Sequence, residues 1–236
     1  MNEMKLADPA CQRVINEGEL LQQLLKMQGA TILELGCGKA EKTRNIAQQA
    51  ASILALEVDQ IQLEKNLQIT DLPNVEFSHG GAEKIPAADA QFDIVLMFKS
   101  LHHVPLAEMD NAFAEIHRVL KPGAVAYLSE PVFAGDFNEI IRLFNDEEKV
   151  RAAAFAAVKR AVASGRFGLK SETHFLQPMK FDSLRQFEEQ VLGVTHTHFN
   201  MTPALLETVR KAFSAHLTPE GASFKMPIRV DLLQKI

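Results

Sequence analysis

Two acidic residues and a glycine pair in the first quarter of the chain could together bind a nucleotide-like ligand. Glu34 precedes Gly36, Cys37 and Gly38. Asp59 follows about twenty residues later, at the end of the next apolar run. The glycines permit a tight turn and a close approach of a ligand to the backbone. The charge of Glu34 would repel a phosphate and suits a ligand with positive charge, whereas Asp59 could accept hydrogen bonds from both hydroxyls of a ribose.

Three histidines are candidates for proton transfer. His102 and His103 come directly after an apolar run, and His174 begins another possible strand. A histidine ring changes charge near neutral pH, so each could act as a catalytic base, although a structural role is equally open. His196 and His198 could join His174 around a metal ion, but no further ligand has a recognisable spacing, so the sequence predicts no metal site.

The segment from residue 31 to residue 130 supplies the framework for these side chains. Short apolar runs alternate there with helical patterns, which predicts right-handed crossovers and a mostly parallel sheet. In such a sheet the ligand lies beyond the carboxyl ends of the strands, where the glycine pair, Asp59 and the histidine pair all fall. The predicted strands are residues 31–35, 53–58, 75–79, 93–98 and 124–130.

Two common nucleotide-binding patterns do not match the chain. The G-x-G-x-x-G pattern of dinucleotide-binding domains would need a glycine where this chain has Glu41. The Walker A pattern of phosphate-binding loops is absent. The glycine loop therefore has to be interpreted together with the motifs that follow it.

Those motifs form a set with the glycine segment TILELGCGKA of residues 31–40. They are GGAEKIP at residues 80–86, QFDIVLMFKSLHHV at residues 91–104 and RVLKPGA at residues 118–124. The whole set resembles the class I methyltransferases that use S-adenosylmethionine, and most of all the branch that methylates small molecules. The resemblance covers residues 30–130 well and the tail loosely. It implies a Rossmann-like α/β fold whose mostly parallel, seven-stranded sheet has helices on both faces.

The resemblance also implies a cofactor-binding role for ten residues. They are Glu34, Gly36, Cys37, Gly38, Asp59, Gln60, Ala82, Glu83, Phe98 and Lys99. The first four would hold the methionine end of S-adenosylmethionine, and Asp59 the ribose. Gln60, Ala82 and Glu83 would lie near the adenine, while the backbone at positions 98 and 99 would face the methionine and the reacting methyl group.

Structural roles stay open for several of these residues. Glu34 could accept hydrogen bonds from nearby N–H groups, and Asp59 could be the N-cap of the helix that follows it. Glu83 could be a solvated loop charge, and Lys99 a salt-bridge partner. Ala40 stands where the family often has a third glycine, and alanine fits there if the backbone is not left-handed.

The second half of the chain changes character. Residues 131–172 are rich in alanine and helical in pattern, which predicts a helical cap insertion within a single methyltransferase domain of residues 1–236. Asp136, Ser183 and Thr202 are each predicted to cap the start of a helix. Strands are predicted at residues 174–181 and 225–235.

Composition limits the function classes. The net charge of −5 gives no basis for a nucleic-acid partner, and no apolar run is long enough to span a membrane. Two cysteines suggest neither a disulfide framework nor a zinc site, so we expect a cytoplasmic enzyme, either a monomer or a homodimer. The predicted reaction is methyl transfer from S-adenosylmethionine to O, N, S or C of a small molecule. The alternatives are an RNA or protein methyltransferase of the same fold and a non-catalytic cofactor-binding subunit.

Overall fold

The centre of the molecule is a seven-stranded sheet with the strand order β3-β2-β1-β4-β5-β7-β6. Strands β1 to β5 pair in parallel, and β7 is antiparallel to both β5 and β6. The computed structural model describes residues 4–194 and 199–236. The sheet confirms the predicted mostly parallel α/β fold. Its strands are β1 (Thr31–Leu35), β2 (Ser52–Glu57), β3 (Val75–His79), β4 (Phe92–Phe98), β5 (Leu120–Pro131), β6 (Phe167–Phe181) and β7 (Ala222–Lys235).

Helices cover both faces of this sheet. Buried side chains of α1 and α2 pack in one core cluster with β1, β2 and β4, while α4 and α6 contribute to the cluster on the other face. Among the described residues, none of the helices is long and apolar enough to cross a membrane. The helices are α1 (Glu17–Leu24), α2 (Glu41–Ala47), α3 (Gln60–Asn66), α4 (Met109–Val119), α5 (Asp136–Ile141), α6 (Glu148–Ala163), α7 (Leu184–Phe187) and α8 (Pro203–Ser214).

The central parallel strands β1 and β4 have the near-continuous apolar sequences of strands that are buried on both faces. In β1 the last four residues are buried, and in β4 six of the seven are. The strand boundaries differ slightly from the predicted ones. β2 ends at Glu57, one residue earlier than predicted, while β5 begins at Leu120 because that residue pairs with Phe92. The end of β2 matters for the site, since it makes Glu57 the last residue of the strand.

A second, smaller core lies at one end of β6 and β7, and we call it the carboxyl-edge lobe. Pro131, the last residue of β5, pairs with Ile228, so residues 222–227 of β7 extend beyond the carboxyl end of β5 and pair there only with β6. Helices α5, α7 and α8 pack on this extension. The fully buried residues of the lobe are Ile140, Phe181, Phe187, Val209, Phe213, Ala222 and Phe224.

The segment predicted as a helical cap, residues 131–172, divides between these two cores. The buried residues of α6 belong mainly to the core cluster that contains α4, whereas α5 belongs to the carboxyl-edge lobe. Residues 167–172 are part of β6, which is longer than predicted. Of this segment, α5 therefore packs beyond the carboxyl end of β5 with the tail helices α7 and α8, while most buried residues of α6 pack in the core cluster that contains α4.

Two of the three predicted helix caps are confirmed. The side chains of Ser183 and Thr202 accept hydrogen bonds from the first turns of α7 and α8. The prediction for Asp136 is wrong, because the N-cap of α5 is Gly135 and its first turn has no side-chain cap. Gly135 has a φ of 89°, which glycine adopts readily, so the chain enters α5 one residue earlier and Asp136 becomes its first helical residue.

We expect Phe187→Ala to destabilise the carboxyl-edge lobe. The ring stacks on Phe213 with centroids 4.4 Å apart, and both side chains are fully buried, so truncation leaves a cavity that costs about 3–5 kcal/mol. Denaturant unfolding should show this loss. Leu217→Ala is the control, because Leu217 is 40% exposed and its truncation should cost about 0.5 kcal/mol or less. Equal stabilities of the two variants would contradict the packing.

Candidate functional site

A glycine loop joins β1 to α2 at the carboxyl edge of the sheet. Gly36 and Gly38 have φ values of 77° and 51°, which glycine accommodates best. The N–H groups of Gly36 and Cys37 both donate to the Leu56 carbonyl, at 2.9 and 3.0 Å. A Cβ atom on Gly36 would lie 2.8 Å from the Cβ of Ser100, so no side chain fits there without a shift. The loop is therefore packed tightly between the end of β2 and the segment after β4.

Two further features of this loop are the backbone conformation of Ala40 and the burial of the Cys37 thiol. Ala40 is left-handed, with a φ of 59°, so the condition under which alanine was expected to fit does not hold. This conformation costs a residue with a Cβ roughly 1–2 kcal/mol. Cys37 is buried, and burial together with the carboxylate of Glu34 raises the pKa of its thiol far above the usual range. Cys37 therefore serves as a small packing residue and not as a reactive thiolate.

The carboxylate of Glu57 connects this loop to the end of β2. Its Oε2 accepts a hydrogen bond from the Gly38 N–H at 2.8 Å, and its Oε1 accepts from the N–H groups of Val58 and Asp59, each at 2.9 Å. The residue is 6% exposed. Sequence reasoning did not select Glu57. The signal that could have found it is its position at the end of the apolar run, two residues before the N-cap of a helix.

Asp59 has the structural role that the sequence left open for it. Its Oδ1 accepts hydrogen bonds from the N–H groups of Ile61 and Gln62, at 3.0 and 3.4 Å, which makes Asp59 the N-cap of α3. Gln60 is the exposed first residue of that helix. Of the two acidic residues at this strand end, Glu57 is therefore the one whose carboxylate contacts the glycine loop.

Glu34 lies at the centre of the site, almost completely buried in β1. The hydroxyl of Thr43 in α2 donates to Glu34 Oε2 at 2.7 Å. Burial raises the pKa of Glu34 to about 7, and the nearby Glu57 adds to this shift, while Thr43 and Lys42 only partly oppose it. Glu34 can thus exchange a proton near neutral pH, or stay ionised when a cationic group lies beside it.

A cluster of charged groups lies beside Phe98, at the end of β4. The Lys42 ammonium is 2.5 Å from Glu17 Oε2 and 4.8 Å from the centroid of the Phe98 ring. Lys99 follows with a φ of 55°, and burial lowers the pKa of its ammonium although Glu17 opposes this shift. In the described part of the chain, the buried Glu17 Oε1 and the buried hydroxyl of Tyr127 have no hydrogen-bond partner. The sequence did not identify Glu17, Lys42 or Tyr127, which belong to three separate elements.

The loop after β3 lies next to the end of β2. The Gly80 N–H donates to the backbone carbonyl of Glu57 at 3.3 Å, which brings the loop next to β2. Ala82 is buried, and the carboxylate of Glu83 folds back over Gly81. Two apolar side chains at the start of α3 are exposed beside this region: Val58 at 58% and Ile61 at 55%.

The predicted catalytic histidines do not form one group. His102 is buried, with Nδ1 2.5 Å from Glu130 Oε2, and its ring centroid is 4.1 Å from that of the exposed His103. His174 lies on β6, opposite Arg229 of β7, which in turn lies opposite Glu130 of β5. Two strand spacings, about 10 Å in all, therefore separate the backbone of His174 from that of Glu130, whose side chain contacts His102.

His174 is in an environment that suits a neutral ring. Burial lowers its pKa, and the charge of Arg229 lowers it further. Its Nε2 has no hydrogen-bond partner within the part of the chain that the structure describes. His196 and His198, which were considered with it as metal ligands, lie outside the described residues. The structure thus brings His102 and His103 together at the end of β4 and leaves His174 apart from them.

Comparison with known proteins supports the family resemblance. Residues 32–123 match a family model described as a methyltransferase domain. An uncharacterized methyltransferase of Synechocystis sp. is 30% identical over 105 residues, which cover 44% of this chain and 49% of that protein. A demethylmenaquinone methyltransferase of Staphylococcus epidermidis is 33% identical over 107 residues, which cover 44% of each protein. The chain thus spans less than half of the length of these curated relatives.

Solved structures share the fold over nearly the whole chain. The YcgJ protein of Bacillus subtilis gives a TM-score of 0.67 at 16% identity, and the match covers 92% of this chain and 97% of that one. The [4+2]-cyclase SpnF gives a TM-score of 0.59 at 20% identity, covering 93% of this chain and 79% of that one. At such identities the likeness establishes the fold alone.

We predict that Glu34 makes the stability of the ligand-free protein depend on pH. Its folded-state pKa of about 7 exceeds its ordinary value of 4.5, so the fold favours the protonated form. The free energy of unfolding should therefore fall by roughly 3 kcal/mol as the pH rises from 4.5 to 7. Glu34→Gln, which is always neutral, should lack this component in denaturant unfolding. Curves of stability against pH that run parallel for the two proteins would contradict the prediction.

Proposed function

We propose that this chain, which belongs to the class I S-adenosylmethionine-dependent methyltransferase family, transfers a methyl group from S-adenosylmethionine to a small-molecule acceptor. The observation that carries this proposal is a pair of buried carboxylates, Glu34 in β1 and Glu57 at the end of β2, beside the glycine loop. Such a pair suits a ligand that has both ribose hydroxyls and a positively charged group.

In this proposal the ribose hydroxyls bind Glu57, and Asp59 does not contact them directly. An ionised carboxylate has about four acceptor positions, and three backbone N–H groups occupy three of those of Glu57. A hydroxyl can use the remaining position or replace the N–H of Gly38. The Asp59 carboxylate is oriented instead toward the first turn of α3.

The charged cluster beside Phe98 fits the methionine end of the cofactor. That end is a zwitterion, so its carboxylate would approach the ammonium groups of Lys42 and Lys99, and its ammonium would approach Glu17 or Glu34. The orphaned Glu17 Oε1 supports this arrangement, because a buried acceptor without a partner costs free energy until a donor arrives. An ammonium beside Glu34 would also hold that carboxylate in its ionised form.

The adenine ring would lie on the opposite side of the glycine loop. Val58 and Ile61 offer it exposed apolar surface, and burying such surface under a flat ring is favourable. The loop around Ala82 and Glu83 would meet the edge of the ring, with Gln60 nearby. These positions keep the order predicted from the sequence, with Glu57 replacing Asp59 at the ribose.

The remaining residues would orient the acceptor. S-adenosylmethionine supplies an already activated methyl group, so the main requirement on the protein is alignment of the acceptor with the S–CH3 bond. His103 is exposed close to the end of β4 and could take a proton from the acceptor there. His174 is not assigned this role, because β7 separates its strand from β5.

Two observations favour a small acceptor over a nucleic acid. The chain carries a net charge of −5, which does not attract a polyanion. The carboxyl-edge lobe extends past the end of β5, where it can enclose a small molecule beside the cofactor. The name of one relative, a demethylmenaquinone methyltransferase, is consistent with such an acceptor.

We predict that Glu57→Gln weakens the binding of S-adenosylhomocysteine at least about tenfold in calorimetric titration, because a ribose hydrogen bond to a charged group is lost. Asp59→Asn is the matched control. It removes a charge two residues away but keeps a good N-cap, so its affinity should stay within about twofold of wild type. Normal binding by Glu57→Gln together with lost binding by Asp59→Asn would show that Asp59, and not Glu57, binds the ribose hydroxyls.

Transfer of the labelled methyl group tests the reaction itself. We expect the purified protein to label at least one member of a panel of small-molecule thiols, phenols, amines and quinols, and Glu57→Gln to lose that labelling at a cofactor concentration near the wild-type Kd. Cofactor binding without label in any acceptor would favour the non-catalytic alternative. Label in RNA or protein alone would overturn the small-molecule proposal.

A further inference from the structure

Three side chains of metal-ligand type converge on one point at the carboxyl edge of the sheet. One ring nitrogen each from His102 and His103 and a carboxylate oxygen of Glu147 all lie within 4.8 Å of one another. The two histidines form the 3-10 turn after β4, and Glu147 directly precedes α6. The proposed cofactor site uses none of the three. We propose that they bind a divalent transition-metal ion of the zinc class, with one coordination position left open.

The spacing fits a site that closes around an ion. His102 Nε2 is 3.8 Å from Glu147 Oε1. Ligand atoms of a tetrahedral zinc ion with bonds of about 2.0–2.1 Å lie about 3.4 Å apart, so shifts of well under 1 Å bring this pair into range. Two histidines and one glutamate with an open fourth position form a known zinc ligand set that binds water or substrate.

Hydrogen bonds already orient the ligands for this role. His102 Nδ1 is 2.5 Å from Glu130 Oε2, and Glu130 Oε1 accepts from the Leu101 N–H at 3.0 Å. A carboxylate that accepts the Nδ1–H leaves Nε2 with its lone pair available to a metal. Glu147 is fixed as well, because Arg151 donates to its Oε2 at 2.6 Å and the amide of Asn145 to its Oε1 at 2.9 Å.

The local charge also favours a cation. With neutral imidazoles, the carboxylates of Glu130 and Glu147 carry two negative charges, and Arg151 contributes one positive charge. One negative charge is left for an incoming ion to neutralise. The competing arrangement is a plain ion-pair network in which a protonated His102 bridges the two carboxylates. Only the metal arrangement takes a ring nitrogen of His103 as a ligand, so the two arrangements predict different effects of His103 substitution on Zn²⁺ binding.

The location of this site suggests that it binds the methyl acceptor, and this role rests on the proposed function. The turn carrying His102 and His103 begins two residues after Lys99, where the methyl group is proposed to react. A thiol or an ionisable hydroxyl that occupies the open position would lose its proton to solvent more easily, so a metal-bound His103 would not be needed as the base. Its lone pair then forms the new bond to the methyl carbon, the C–S bond pair returns to sulfur, and the sulfonium leaves as a neutral thioether. The oxidation state of the metal ion does not change in this step.

The test is a calorimetric titration of the chelator-treated, dialysed chain of residues 1–236 with Zn²⁺, repeated with Co²⁺ and followed by visible absorption. We expect one saturable equivalent and the intense bands of a four-coordinate Co²⁺ ion. His103→Ala is the main variant, because the residue is exposed and its loss should leave the fold intact. Its affinity should fall at least about tenfold, and that of Glu147→Gln likewise. His79→Ala, an exposed histidine at the end of β3, should bind as wild type does.

The outcomes separate this inference from the proposed function. No saturable Zn²⁺ site, or equal affinities in wild type and His103→Ala, would mean an adventitious ion only and would overturn the proposal. The same samples are titrated with S-adenosylhomocysteine, which should bind the chelator-treated wild type and His103→Ala alike. Failure of that second titration alone would count against the cofactor site, because the metal ligands and the proposed cofactor residues do not overlap.

Discussion

The hydrogen bonds of Glu57 are the interaction on which the rest of the site depends. A parallel sheet leaves loop N–H groups at its carboxyl edge, and buried groups of this kind need acceptors. Glu57 accepts from three of them, in the glycine loop and at the start of the segment leading to α3. The conformation of Gly38 and the entry into α3 are thereby tied to one carboxylate at the end of β2.

Around this anchor the protein buries two further carboxyl groups, those of Glu17 and Glu34. Glu17 and Glu34 are each about 2% exposed, and Glu34 is protonated up to about neutral pH in the ligand-free state. Burying carboxylates is costly unless partners compensate it, and Glu17 Oε1 still lacks a hydrogen bond within the described residues. Concentration of such groups at a strand edge is typical of a binding site, where the ligand supplies the missing partners. The carboxyl-edge lobe extends past the end of β5.

Local signals in the sequence explain what could be predicted. The apolar runs of β1 and β4 and the glycine loop could be predicted, because each is encoded within a few neighbouring residues. The proposed ribose contact depends on where β2 ends. The sequence predicted an end at residue 58 and favoured Asp59, whereas the strand ends at Glu57, whose carboxylate contacts the glycine loop. Contacts between residues that are far apart in the sequence leave no local pattern from which they could be predicted. Glu17 meets Lys42, and His102 faces Glu147, only because the tertiary fold brings separate elements together.

The most direct test of this account is a crystal structure of the protein with S-adenosylhomocysteine bound. We expect the ribose hydroxyls within hydrogen-bonding distance of the Glu57 carboxylate, with Asp59 still capping α3. The amino acid end should lie among Glu17, Glu34 and Lys42, with the adenine against Val58. A ligand whose ribose contacts Asp59, or one bound away from the carboxyl edge of β1 and β2, would contradict it.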